Sequence, residues 1–309
     1  MADGKGYLEQ PHLHTQAPFR SALLINPGNF QEALNQAVAD PKKTLFGVGT
    51  GIPSTFVTKV LASTKPDFIW IDVEHGMFDR LLLNDCIQAA QHHSEGKAMV
   101  IVRVPKHDTV SLSTALDAGA AGIVIPHVES AQEVKDKMKE IYFLGDQSAP
   151  KGQRSYSPWT FTPGINDQSL YPGDPFNIRT YNSHTVIIPQ VESVKGIENV
   201  DEIAAVTGVS AIMFGPGDFM VDAGCDLNAF GAPNPVFDAA VAKFSAAAKR
   251  NNVPLFGAAL SVHAIPSMIE QGYRAIAVAF DLWGFSNMVK EKLDQATAYA
   301  SQHGEKKEE

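Results

Sequence analysis

Cysteine is scarce in this 309-residue chain, which has only Cys86 and Cys225. Two thiols cannot build a disulfide framework, and neither sits in a CxxC or Cys/His pattern of the kind that holds zinc. Long apolar runs are missing as well, so nothing approaches the roughly 18 residues of a membrane-spanning helix. The N-terminal stretch MADGKGYLEQPHLHTQAPFR has neither the apolar centre of a secretory signal nor the arginine-rich amphipathic character of an organelle-targeting segment. Positive charge is in deficit, with 25 Lys and Arg against 34 Asp and Glu, a net charge of −9. That balance argues against nucleic acid or an anionic membrane surface as partner. Neither a GxGxxG after the first apolar run nor a Walker lysine is present, which removes the two commonest nucleotide-binding signatures. The expectation from these absences is a soluble cytoplasmic protein that acts on a small molecule.

What the chain does have is enough apolar residues, 44%, to bury a sizeable core, arranged in a regular alternation. Short apolar runs occur at 44–49, 67–73, 98–104, 122–128, 185–191, 210–215, 254–260 and 274–280. Segments of helical period separate them at 55–64, 80–93, 109–118, 130–143, 196–206, 235–251 and 263–271, and a last one occupies 284–303. Eight strands alternating with eight helices predict a (β/α)8 TIM barrel rather than an open doubly wound sheet with an extra lobe. An additional helix at 29–39 precedes the first strand, in position to plug the bottom of the barrel. The expected organisation is an N-terminal extension over 1–28, one barrel domain over 29–303, and a charged tail over 304–309. The rhythm breaks at 145–183, an aperiodic stretch carrying Arg154, Tyr156, Trp159, Phe161, Tyr171 and Phe176. It reads as a lid over a site, or as a long loop anchored by its aromatics.

In a parallel barrel the active site lies at the C-terminal ends of the strands, so polar residues placed just where apolar runs stop are the candidates. They are Asp72, Glu74 and His75 after the second run, Arg103 after the third, His127 after the fourth and Glu192 after the fifth. The sixth leads through Gly215-Pro216-Gly217 to Asp218. Glu192 and Asp218 on consecutive strand ends suit a hard divalent cation, Mg²⁺ or Mn²⁺. They also suit plain helix capping. His75 can act as a base oriented by Asp72 or Asp117, or be an ordinary packed histidine. Arg103 offers a rigid fork for a carboxylate or an enolate oxygen, or for a structural ion pair.

Five segments, IDVEHGMFD (71–79), VRVPKHD (102–108), ALDAGAAGIVIPHVES (115–130), PQVESVKGIENVDEI (189–203) and FGPGDFMVDAG (214–224), together resemble the HpcH/HpaI-type metal-dependent aldolases. These are barrels of the phosphoenolpyruvate/pyruvate kind that act through pyruvate enolates. The resemblance runs from about residue 44 to 285. It implies metal ligation by Glu192 and Asp218, a base at His75 supported by Asp72 or Asp117, and binding of a 2-oxo acid such as oxaloacetate or pyruvate by Arg103. It further implies a homo-oligomer, a hexamer built from dimers, with the C-terminal helix exchanged between subunits. Trp70, the segment 154–159 and the segment 259–284 are similar to a branch of the family that adds the enolate to a 2-pyrone. On that likeness Trp70, Tyr156 and Pro158 would hold a bulky acceptor, with Gly215 and Gly217 also among the substrate-binding residues. Phe176 stands where that branch carries a tyrosine and cannot donate its hydroxyl hydrogen bond. The expected activity is therefore oxaloacetate decarboxylation or aldol cleavage and addition with an aldehyde. Full pyrone condensation is the alternative, and a catalytically silent dicarboxylate-binding or assembly subunit is the reading from another class.

Overall fold

The computed structural model describes residues 28–40, 42–143, 152–157, 178–229 and 231–305. Eight parallel strands close into a barrel in sequence order: β1 (Leu45–Thr50), β2 (Phe68–Asp72), β3 (Met99–Arg103), β4 (Gly122–Ile125), β5 (Val186–Val191), β6 (Ile212–Phe214), β7 (Leu255–Ala258) and β8 (Tyr273–Phe280). Each falls within, or one residue beyond, an apolar run read from the sequence. The helices, in chain order, begin with α1 (Phe30–Ala39), α2 (Thr55–Ser63), α3 (Arg80–His93), α4 (Thr109–Asp117) and α5 (Ala131–Ile141). They continue with α6 (Ile178–His184), α7 (Val194–Glu198), α8 (Val200–Ala204), α9 (Pro216–Asp222), α10 (Pro235–Arg250), α11 (Ile265–Gln271) and α12 (Asp281–Glu305). Side-chain oxygens of Ser54, Asp79, Asp108, Ser130, Ser193 and Asn234 accept from first-turn amides and start six of these helices, the first five in the turns that follow strands.

Alternation along each strand sorts the core into two layers. Ile69, Ile71, Val100, Val102, Ile123, Ile187 and Val191 face the helices. Phe68, Trp70, Ile101, Val124, Val186, Ile188, Met213, Phe256 and Ala277 fill the barrel itself. The large rings fit because β1 offers no side chain opposite them: a Cβ on Gly47 would overlap the Phe68 ring, and one on Gly49 the Phe280 ring. Phe30 and Leu34 of α1 join the interior layer, with Phe30 stacked on Phe68 at 5.8 Å, so α1 does stop the bottom of the barrel.

Two elements depart from the sequence expectation. Residues 178–183, read as the end of the aperiodic interval, fall in α6, which buries Tyr181. The segment read as one helix over 196–206 is two short ones, α7 and α8, meeting at Asn199. The final helix starts at Asp281 rather than 284. The Asp281 carboxylate accepts from Thr50 Oγ1 at 2.5 Å and from the amides of Gly51 and Ile52 at 2.9 and 3.0 Å, pinning the helix start to the end of β1. Beyond that point α12 leaves the barrel surface: Leu282, Trp283, Phe285, Met288, Val289 and Leu293 are all exposed. The wall of β1 it would have covered is correspondingly open, with Phe46 37% exposed.

Candidate active site and metal centre

The inward residues of the strands form successive layers, and at the C-terminal mouth the layer changes from apolar to charged. Asp72 on β2 is the register partner of Arg103 on β3. Adjacency on neighbouring strands makes them an ion pair, with Arg103 Nε and Nη2 donating to Asp72 at 2.8 and 2.5 Å. Arg103 Nε also lies 3.4 Å from Glu74. Burial opposes the guanidinium's charge, but the Asp72 hydrogen bond and charge more than offset it and hold Arg103 above its ordinary range. Trp70, one pleat below, carries the guanidinium 5.7 Å over its ring and meets Phe256 and Phe280 edge-on. At 3% exposure Trp70 is the floor beneath Arg103, where it supports the arginine.

β5 supplies the next charge. Glu192 is 1% exposed; its Oε1 accepts from the His127 amide at 2.7 Å and its Oε2 from Gln190 Nε2. Burial pushes this carboxyl up to about 8, against the His127 amide, and the charge of Asp218 pushes the same way. Asp218 lies in the first turn of α9, after Gly215. A Cβ on Gly215 would overlap both Oε2 and Cβ of Glu192, so only glycine lets the two chain segments come this close. His127, Glu192 and Asp218 each offer a ligand atom within 4.8 Å of the others, two hard carboxylate oxygens and an imidazole nitrogen. Glu74 adds a third acidic group nearby, raised by burial and lowered by Arg103 and His75.

Sequence reasoning gave His127 no role, and its backbone explains why it matters. Its φ is +51°, a left-handed conformation that costs a non-glycine residue about 1–3 kcal/mol when held outside a turn. The other non-glycine residues with positive φ among those described, Lys65, Glu95 and Asn252, each follow the capping residue of a helix, where that conformation is ordinary. His127 follows a strand. Lys106 Nζ donates to its carbonyl at 2.6 Å, and its own amide is spent on Glu192, so two contacts hold the strain. Gln190 was missed as well, although its place two residues before Glu192 on one strand puts both on the same face.

His75 sits at the rim with its side chain 65% exposed, and the carboxylate beside it is Glu74, with Oε2 4.0 Å from Nε2. Neither carboxylate expected to orient it is brought there within one chain. Asp72 is committed to Arg103. Asp117 ends α4, and a crossover helix ends beside the start of the next strand, so Asp117 lies at the opposite end of the barrel. There it pairs with Arg154 Nη2 at 2.5 Å. Arg154 is sandwiched between Phe143 and Tyr181, 4.2 and 4.8 Å from their ring centres, and Tyr181 donates its hydroxyl to the Leu116 carbonyl. In the described residues of the 145–183 interval, Arg154 and Tyr181 are thus anchored below the barrel. Tyr156 is 51% exposed two residues beyond Arg154. Pro158 and Phe176 lie outside the described residues. Gly215 lines the carboxylate cluster, and Gly217 faces open space, with nothing within 4 Å of where a Cβ would stand.

Comparisons agree with this architecture. The chain superposes on a crystal structure of macrophomate synthase with a TM-score of 0.88 and 65% identity, covering 96% of this chain and 99% of that one. A Burkholderia cenocepacia protein of the HpcH/HpaI aldolase/citrate lyase family gives 0.73 at 25% identity over 85% and 98%. In sequence, the 5-keto-4-deoxy-D-glucarate aldolase of Klebsiella pneumoniae is 26% identical over 271 residues, 87% of this chain and 97% of that enzyme. The hydroxypyruvate/pyruvate aldolase of Delftia acidovorans is 28% identical over 202 residues, 65% of this chain and 68% of its own length. Residues 53–288, with the strand-end carboxylates and Arg103 among them, match one family throughout, and the chain belongs to the HpcH/HpaI aldolase/citrate lyase family.

Proposed function

We propose that this chain is a divalent-metal-dependent carbon–carbon lyase that generates a pyruvate enolate from a 2-oxo acid, by decarboxylating oxaloacetate or by cleaving an aldol. The observation that carries the reading is the convergence of Glu192, Asp218 and Arg103 on one mouth of a barrel of this family. The residues fit a hard cation: a carboxyl raised to about 8 by burial, with a second carboxylate at its side, gains most from a counter-charge. Glu192 and Asp218 would hold Mg²⁺ or Mn²⁺, with His127 within reach, and the ion would act as Lewis acid toward the keto and carboxylate oxygens of the substrate.

The chain's own groups account for the rest. In oxaloacetate the C3–C4 bond breaks, carbon dioxide leaves, and the electron pair becomes the C2–C3 double bond of the enolate. Negative charge then gathers on the C2 oxygen. Arg103, held rigid by Asp72 and by the Trp70 floor, meets that charge with its remaining N–H groups. Decarboxylation needs no base. Aldol cleavage does, because a hydroxyl proton must leave as the bond breaks, and His75, exposed at the rim, would take it.

Metal-dependent loss of oxaloacetate, abolished by EDTA, tests the reading. Glu192→Gln and Asp218→Asn should each remove that EDTA-sensitive activity without unfolding the chain; full turnover in both variants refutes the assignment. His75→Ala should impair aldol turnover by about tenfold or more while decarboxylation changes little. Equal losses in the two reactions would deny His75 the base role.

Two acceptors are open to the enolate, a small aldehyde and a 2-pyrone. The 65% identity to macrophomate synthase favours retention of the second. Phe176, which lacks a hydroxyl, favours the first. One lost hydrogen bond to an uncharged acceptor is worth about 0.5–1.5 kcal/mol, too little to exclude pyrone condensation.

A further inference from the structure

Both peptide units that flank the strained residue His127 are pinned. The one before it donates its N–H to Glu192 Oε1 at 2.7 Å. The one after it is gripped at both ends. Its carbonyl accepts from Lys106 Nζ at 2.6 Å, and its N–H, that of Val128, donates to the Gln190 carbonyl at 3.0 Å. The Val128 bond ties the loop to β5, and the Asn199 side chain holds the Glu129 carbonyl at 2.8 Å a little further on. Lys106 comes from the other side, the turn between β3 and α4. It is itself steadied by Glu133 in the first turn of α5, whose Oε2 lies 3.1 Å from Nζ and accepts the Glu129 amide at 2.9 Å. A residue other than glycine released from φ +51° relaxes to negative φ. With Val128 fixed on β5, that relaxation turns the His127 amide away from Glu192.

We propose that Lys106 is a positioning residue for the metal-holding carboxylate: by gripping the His127 carbonyl it keeps the left-handed backbone that aims the His127 amide at Glu192. The inference rests on the reading given under Proposed function, in which Glu192 helps hold the cation. Among the described residues Lys106 makes no hydrogen bond or ion pair to Glu192 or Asp218, so its influence passes through the backbone of one residue. The direction of the effect is diagnostic. Removing a positive charge near a cation site tightens cation binding by electrostatics alone, whereas releasing His127 loosens it.

Lys106→Met keeps the apolar stem and removes the ammonium. Its Mn²⁺ dissociation constant, read by EPR without substrate, should rise about tenfold, the order of one charge-assisted hydrogen bond. Lys106→Arg still donates to the carbonyl and should stay within about threefold of wild type. Glu133→Gln removes the ion pair but leaves the lysine its carbonyl, and it too should stay within about threefold, because a partly exposed pair is worth little. Glycine adopts positive φ without strain, so in a His127→Gly background Lys106→Met should weaken Mn²⁺ binding by no more than about twofold further. His127→Asn, also tolerant of the left-handed region, takes its place if the glycine variant does not fold. Wild-type or tighter Mn²⁺ binding by folded Lys106→Met, or a full tenfold loss in the glycine background, would overturn the proposal. Undiminished Mn²⁺ binding by Glu192→Gln would instead overturn the metal reading. If that binding is lost while Lys106→Met binds as wild type does, only the positioning role fails.

Discussion

Glu192 carries a large thermodynamic signature. In the folded protein without metal it keeps its proton to about pH 8, whereas its ordinary value is 4.5. Between those values the unfolded chain has released the proton and the folded chain has not, so the unfolded state binds fewer protons. Stability then falls as pH rises. The metal-free protein should therefore be most stable toward the lower end of this window and lose that contribution as pH climbs to about 8. A divalent cation takes the place of the proton, so the rise in Tm on adding Mn²⁺ should grow over the same interval. Glu192→Gln should flatten both trends. Thermal unfolding in EDTA and in Mn²⁺ at several pH values checks this; a metal-free Tm that is the same in wild type and Glu192→Gln across the window contradicts it. At this scale the sequence named Glu192, Asp218, Arg103 and His75 because strand-end polar residues of a parallel barrel must converge. Which carboxylate pairs with which base was not legible, since that depends on the β2/β3 register and on which end of the barrel a helix residue reaches; within one chain Asp72 pairs with Arg103 and Asp117 with Arg154.

The turn from β6 into α9 shows how one element sets the site. Gly215 brings α9 against Glu192, while Gly217 two residues on faces open space. Gly215→Ala should push the Glu192 carboxylate out of place and weaken Mn²⁺ binding by about tenfold or more, whereas Gly217→Ala should leave it within about twofold. Isothermal titration of both variants checks the contrast, and equal affinities would show that the close approach is not what places Glu192. Strands and long helices were legible because their apolar periodicity is strong and tertiary packing agrees with it. The helix α6 was not. Its sequence, IRTYNSH, has no apolar stripe, and it is held by tertiary contacts such as the Tyr181 hydroxyl on the Leu116 carbonyl. The break between α7 and α8 was equally hidden: Asn199 there donates to the Glu129 carbonyl, a residue 70 positions away.

For the whole molecule, α12 and the uncovered wall of β1 are two halves of one unmet requirement. A barrel needs a helix over β8 and β1, yet α12, pinned at Asp281, carries its apolar side chains outward and leaves Phe46 exposed. Exchange of this helix between copies would satisfy both, in keeping with the oligomer expected from the family resemblance. Light scattering at micromolar concentration should give an assembly, a hexamer on that expectation, and a chain ending before α12 should lose it; a monomeric mass for the full chain refutes the exchange. Among the described residues no helix is long and apolar enough to cross a membrane. The stopper at the other end, Phe30 on Phe68, has a consequence for traffic. The barrel is a blind well, and whatever is made at its mouth departs by the route through which the next molecule arrives. On the proposed reaction, carbon dioxide would have to clear that opening before an acceptor could settle over the enolate. Bond breaking and bond making would then be queued in time, with the nucleophile open meanwhile to a proton from solvent. Pyruvate would be the product wherever no acceptor arrives.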